Sequence, residues 1–551
     1  MFEECFGDGP FIFRLNDGGS GPHLLTQVCL ERGWKEFSPE NGDHWNLWWR
    51  TSGFPVSHHK NLYAWQYINH IPKGSAICRK DNLVRFLRCM RKVYGSIYDF
   101  SPHGYNLPAE YTKLAAECSR GRPVFMTREE DSNCLEDKPV WICKPVAQSQ
   151  GRGIFLFRKL SELTYDTNTI VQRYIEKPLL IGGYKFDLRL YVCIPSYYPL
   201  VVYMYREGLA RFGTDKFNLT DLRNPFRHLT NSSINKLGPG YSEMKERVGS
   251  GCKWTLRQLR RYFQQIGVRD WLLWQKIEVI VVLTVLSHLA QIPPTLNCFE
   301  FLGFDILIDE NIRPWLLEVN LSPALGNDCD TDRLVKKPLL HDLFDLLGFP
   351  LYNTGLSVFN IWNEESKENT LGNSECQKVS SVKSHQRALS VVHAAGKWRQ
   401  KQKRISSASK DKLSSFRSTS KNSQLTFKGT KPAIAKFTGQ SKQELDEQNK
   451  KYDEEWKRKH CSSKWGNGRD WKNSPESEGG WMRIWPVISD DNQDGDFQTR
   501  RNVKEIVAQI TKLEKTAREI AKKHPHASEC QLNEFLQHTV GIKNEIWIPP
   551  I

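Results

Sequence analysis

Residues 297–326 read NCFEFLGFDILIDENIRPWLLEVNLSPALG, and the fold turns on how this stretch is understood. Two apolar runs, 301–308 and 314–319, flank Asp309-Glu310-Asn311, which predicts two short strands joined by a turn. Each strand carries hard oxygen donors: Asp305 in the first, Glu318 and Asn320 at the end of the second. Two carboxylates and an amide carbonyl form the donor set that Mg²⁺ takes in the company of phosphates. An ordinary hairpin with incidental acids would share the pattern. Asp305, however, stands between Phe304 and Ile306, and a carboxylate in so apolar a strand calls for a cation or a partner.

Upstream, residues 185–192 read KFDLRLYV. Lys185, Asp187 and Arg189 share one face of the predicted strand, and Phe186, Leu188 and Leu190 line the other. Three charges on one face suit a charged ligand, although a solvated edge strand would look similar. Further back, WICKPVAQSQGRGIF (141–155) predicts a strand bearing Lys144, a Gly-rich loop and a return strand. Such a loop lets backbone N–H groups approach phosphate oxygens, with Lys144 and Arg152 supplying positive charge; a plain hairpin is the alternative. Strands over 200–205 and 207–212 continue the sheet. Helices follow over 254–266 and 271–289, the second apolar all round and therefore buried. Ahead of all this, residues 1–100 predict a small α/β lobe that includes an amphipathic helix over 80–94. Alternating strands with helices behind them give an α/β (α+β) class.

Composition narrows the function classes. The 39% of hydrophobic residues supply a core, and the 14 cysteines show no paired spacing, which fits reduced thiols in the cytosol. The longest apolar run, 279–286, is too short to cross a bilayer, and the acidic start (Glu3, Glu4, Asp8) is unlike a secretory signal. The net charge of +16 is concentrated: residues 378–442 hold sixteen Lys or Arg against the single acid Asp411.

Together these motifs resemble the tubulin–tyrosine ligase-like family. WICKPVAQSQGRGIF, VQRYIEKPLLIGGYKFDLRLYV, REGLARF, HLTNSSINK and GFDILID…WLLEVNLSP occur in that family's order, joined by RGW, NHIPKG, KDNL and NLPAEY in the N-terminal lobe. The resemblance spans about residues 10 to 350 and is closest to the polyglutamylase branch. It implies an ATP-grasp-like ligase core of three lobes: 1–100, a central lobe 101–205, and 206–352 with the metal site. The implied reaction is ATP-dependent ligation of free L-glutamate to a glutamate side chain of the tubulin tail through an acyl phosphate. Ligation of glycine or tyrosine, or an ATP site without ligase activity, are the alternatives.

Carried over motif by motif, the resemblance puts Lys144, Lys185 and the Gln150-Gly151-Arg152-Gly153 loop on ATP phosphates. Gln172, Arg173, Tyr174 and Ile175 fall along the adenine pocket, Asp187 on the ribose, and Thr230 and Asn231 beside the nucleotide. Arg211 falls on the incoming glutamate, with Ser232, Ser233 and Lys253 in the same pocket. Asp305, Glu318 and Asn320 fall on Mg²⁺, which makes Arg211 and Glu318 the catalytic pair. The sequence departs from the family pattern twice: Ser232 stands where many glutamylases have Tyr, and Asn320-Leu-Ser-Pro-Ala324 ends in Ala instead of Ser.

The remainder is expected to be a basic, mostly disordered tail (353–498), an isolated amphipathic helix (499–525) and a C-terminal tail (526–551). Val503, Ile506 or Val507, Ile510, Leu513, Ala517 and Ile520 give that helix one apolar stripe, for docking on the body or a partner or for dimerisation. The +15 segment is expected to meet the acidic microtubule wall. Sparse aromatic residues there disfavour nucleic acid, and no membrane is expected. Partner subunits are allowed for, and the expected place is the cytoplasmic microtubule cytoskeleton, the basal body of a cilium or flagellum included.

Overall fold

In the computed structural model the described residues are 11–349, 471–487 and 503–551, apart from short interruptions of which 120–137 is the longest. Three sheets carry the architecture. The first is parallel, in the order β2 (Lys35–Glu36), β1 (Ile12–Leu15), β3 (Leu47–Trp49), β4 (Tyr67–Ile68), with helix α1 (His23–Glu31) crossing over between β1 and β2. Helix α2 (Lys80–Tyr94) then buries Leu83, Val84, Phe86 and Leu87 and turns its arginines outward. Its C-terminal Gly95 takes a positive φ of 78°.

The second sheet is antiparallel, in the order β5 (Gly104–Leu107), β8 (Thr169–Arg173), β6 (Trp141–Pro145), β7 (Phe155–Phe157). Helix α3 (Tyr111–Ser119) follows β5. The third sheet has nine strands and is built around β10 (Tyr184–Tyr197). The short β9 (Leu180–Ile181) pairs with its start, β12 (Leu209–Phe212) with Phe186–Arg189, and β14 (Glu300–Ile308) with Leu188–Ile194. The partner of β14 is β15 (Pro314–Asn320), so the hairpin of 297–326 does form. On the opposite flank β13 (Lys253–Thr255) extends β12, and β11 (Leu200–Tyr205) pairs with the end of β10.

Behind this sheet run α4 (Leu256–Gln265), α5 (Trp271–Leu286) and α6 (Asp330–Leu346). Every α5 residue except Leu272 and Lys276 is buried, as its all-round apolar sequence requires. With the turn that follows, Trp271–Gln291 is long and apolar enough to cross a membrane, whereas the shorter uninterrupted run suggested otherwise. In this fold 83% of its apolar window is buried inside the protein.

Three boundaries expected from the sequence are corrected. A break at 205 would cut the nine-stranded sheet between β11 and β12; the change of sheet instead falls between Arg173 and Leu180. The expected 353–498 tail contains β16 (Ser477–Glu478) and β17 (Trp481–Trp485), and β17 adds to β11 with Val202 opposite Trp485 and Tyr205 opposite Trp481. The helix of 499–525, here α7 (Val503–Lys523), is not isolated: it lies on α5 with Ile506, Val507, Ile510, Leu513, Ala517 and Ile520 buried. The last 26 residues are not a plain tail either. They form α8 (Glu529–Val540), capped by a Ser528–Gln531 capping box, and bury Trp547 against Trp274 at 5.9 Å between ring centroids. Residues 378–442, the expected microtubule-binding segment, lie outside the described residues. The flanking parts, Met1–Val358 and Asn467–Ile551, belong to one compact unit.

Candidate active site

Strand register creates the site. Asp187 of β10 stands opposite Arg211 of β12, and Arg211 opposite Lys253 of β13. Two residues along β10, Arg189 stands opposite Asp305 of β14, which in turn stands opposite Glu318 of β15. Because registered neighbours project from the same face, alternation within five strands assembles one row of charge across the sheet. Arg211 holds Asp187 through two bonds, Nε to Oδ1 at 2.8 Å and Nη2 to Oδ2 at 2.5 Å, and reaches Asp305 Oδ2 at 2.9 Å. Arg189 holds Asp305 by the same fork, at 2.6 and 3.1 Å. Burial pushes the Asp305 carboxyl up, but Arg189 and Arg211 outweigh it and hold the group well below the usual carboxylate range.

This row faces the second sheet across a cleft of about 840 Å³. Lys144, Gln150, Gly151, Gln172, Arg173, Tyr174, Ile175, Lys185, Asp187, Thr230 and Asn231 line it, together with Arg211, Asp305 and Glu318. Of the residues singled out in the sequence, Arg152, Gly153, Ser232, Ser233, Lys253 and Asn320 do not form its wall. Ser233 instead donates to the Gln150 carbonyl at 3.2 Å, tying the Gly-rich loop to the following segment. Lys253 is committed to Asp332, 2.6 Å away. The loop itself needs left-handed backbone at Gln150, Gly151 and Gly153, and a Cβ on Gly151 would come within 2.3 Å of Ile234.

The two cleft lysines are buried without a carboxylate in contact. Lys144 donates to Gln172 Oε1 at 2.9 Å, and burial brings its ammonium down to about 8. Lys185 donates to the Tyr174 hydroxyl at 2.9 Å and the His228 carbonyl at 2.8 Å; burial brings it down to about 7, against the pull of Asp187. Sequence reading missed three contributors. Arg189 was legible as a charge on the β10 face, but its hold on Asp305 was not. Lys80, at the start of α2, comes within 3.7 Å of Glu318 and donates to the Gln148 carbonyl at 3.0 Å. His228 sits behind Lys185, with Nδ1 3.2 Å from the Tyr174 hydroxyl. Neither Lys80 nor His228 carries a local signal beyond its place in KDNL or HLTNSS.

The metal donor set fits a hard cation. The Asn320 amide lies 3.3 Å from an Asp305 oxygen and 3.4 Å from a Glu318 oxygen, so two carboxylates and an amide converge on one point. Among the described residues no cluster of three or more His, Cys, Asp or Glu side chains offers another candidate.

A cation-lined cleft between two antiparallel sheets, closed on one side by balanced guanidinium–carboxylate pairs, defines an α/β protein that holds a polyanion beside carboxylates. The Tubulin-tyrosine ligase family profile matches residues 57–354, and the chain belongs to that family. It is 45% identical over 377 residues to the probable tubulin polyglutamylase TTLL2 of Homo sapiens, covering 68% of this chain and 60% of that protein. For the Mus musculus TTLL2 the figures are 48% over 342 residues, 61% of this chain and 61% of that protein. The tubulin polyglutamylase TTLL5 of Homo sapiens is 36% identical over 339 residues, 59% of this chain and 25% of that protein. The chain thus spans about three-fifths of the two TTLL2 proteins it matches. The resemblance read from the motifs, to the polyglutamylase branch and within it to member two, agrees with these relatives.

Proposed function

We propose that this chain is a tubulin polyglutamylase with an ATP-grasp-like core, joining free L-glutamate to glutamate side chains of the tubulin tail at the expense of ATP. The observation that carries the reading is the register-linked row from Arg211 to Glu318 facing the buried Lys144 and Lys185. Ligation of two anions needs positioning and charge neutralisation more than covalent help from the protein. Lys144 and Lys185 supply cations to a triphosphate, and Gln150–Gly153 supplies backbone donors. Asp305, Glu318 and Asn320 would hold Mg²⁺, which when bound neutralises phosphate charge. Arg211 keeps its Asp187-facing edge fixed and leaves Nη1 for a carboxylate. In the first step a carboxylate oxygen of the acceptor attacks the γ-phosphorus and ADP leaves. In the second the glutamate amine attacks the acyl carbon, phosphate leaves and the amine loses its proton. Such a substrate places the protein on cytoplasmic microtubules, those of ciliary or flagellar basal bodies among them.

The test is incubation of the full chain with ATP, Mg²⁺, tubulin and labelled glutamate, glycine or tyrosine in separate reactions. Incorporation of glutamate alone is expected. Incorporation of glycine or tyrosine in its place would overturn the amino-acid assignment, and ATP binding without incorporation would leave a binding protein.

A further inference from the structure

Lys253 and Lys336 meet across one carboxylate. Asp332, fully enclosed in the first turn of α6, takes Lys253 Nζ on Oδ2 at 2.6 Å and Lys336 Nζ on Oδ1 at 2.8 Å. Lys253 stands in register with Arg211, so both side chains leave the same face of the sheet. Lys336 also donates to the Gly326 carbonyl at 2.7 Å, in the segment that leaves β15 after Asn320. One carboxylate therefore links β13, α6 and the exit from the metal-site strand.

Charge accounting gives this cluster a role. Arg189, Arg211, Asp187 and Asp305 balance one another inside the row. Lys253, Lys336 and Asp332 leave one positive charge over, one strand beyond Arg211. An ammonium has three donors, and Lys253 spends one on Asp332, so two remain for a ligand. We infer that Asp332 is a positioning residue: it holds Lys253, with Lys336 behind it, as the cationic end of the amino-acid site that begins at Arg211. That end favours an incoming amino acid with a second carboxylate. The inference rests on the ligase reading above.

A purely neutralising Asp332 and a positioning one predict opposite signs. If it only offset two buried cations, Asp332→Asn would add positive charge and tighten an anionic amino acid. Positioning predicts the reverse, because two buried ammoniums without their shared acceptor repel and leave their places. In the full-length protein, Asp332→Asn should raise KM for glutamate about tenfold, the scale of a lost charge-assisted contact, with kcat and ATP affinity held within about twofold. It should also erase the preference for glutamate over glutamine, and Asp332→Glu should restore part of both. Should Asp332→Asn fail to fold, Lys336→Met, which keeps the stem and removes the second ammonium, is expected to raise the glutamate KM about threefold. A lowered or unmoved glutamate KM in a folded variant, or an equal loss of ATP affinity, would overturn the assignment to Asp332 alone. Absence of ligation by the unsubstituted chain would overturn the ligase reading and this inference together.

Discussion

Lys185 is held by two uncharged oxygens, the Tyr174 hydroxyl and the His228 carbonyl, in a pocket that excludes water. That is why burial lowers its ammonium from 10.5 to about 7. The sign of the linkage follows. Between about pH 10.5 and 7 the unfolded chain takes up a proton that the folded chain refuses, so this group lowers stability as pH falls through that window. A polyphosphate reverses the preference by stabilising the charged amine. Binding at pH 8 should therefore draw a proton from the buffer, and affinity should fall by up to about tenfold per pH unit above 7 until the amine of the complex also titrates. Calorimetry of ATP binding in two buffers of different ionisation enthalpy checks this; identical enthalpies between pH 7 and 9 would refute it. Much of this site was legible from single strands. The period-two alternation of KFDLRLYV identified the charged face, and Asp305 between Phe304 and Ile306 was conspicuous because an isolated carboxylate is costly there. Which cation met which acid was not legible, since register between β10, β12 and β14 is set by segments some 20 to 120 residues apart.

At the scale of elements, the part that sequence reading missed lies after residue 470. The five residues WMRIW were lost in a long polar, basic stretch, yet they cover the flank of β11 that would otherwise expose unpaired N–H and C=O groups. Helix α7 covers α5, and Trp547 completes the seal: it is 1% exposed, packs edge-on against Trp274 and donates from Nε1 to the Tyr205 carbonyl at 3.2 Å. Arg260 adds a polar clamp, with Nε 2.8 Å from Asp270, Nη1 2.5 Å from the Pro549 carbonyl and a contact to Glu529. No local periodicity announces a tryptophan whose partner lies 273 positions away. Trp547→Ala should therefore act as a core truncation, costing about 3–5 kcal/mol of unfolding free energy. Chemical denaturation monitored by circular dichroism would show it as a lower midpoint; a change below about 1 kcal/mol would mean that the C-terminal segment is not part of the cooperative unit.

For the whole molecule, the arrangement of charge separates two tasks. The chain leaves the described body at Phe349 and re-enters it at Trp471, and both sides belong to one compact unit. Between them lies the segment 378–442, whose sixteen cations and one acid account for nearly all of the net +16. The catalytic cleft, in contrast, is locally balanced: its guanidinium groups are matched by Asp187 and Asp305. Attraction to an acidic lattice thus belongs to the segment, and nucleotide binding belongs to the body. Deleting 378–442 while keeping 467–551 should leave ATP affinity unchanged and weaken co-sedimentation with microtubules about tenfold or more at low ionic strength. The difference between the full and deleted chains should shrink as salt rises, because the Debye length falls from about 30 Å at 0.01 M to about 8 Å at 0.15 M. Co-sedimentation that is unchanged by the deletion would move the microtubule contact onto the folded body. A loss of ATP affinity on deletion would show that the two tasks are coupled.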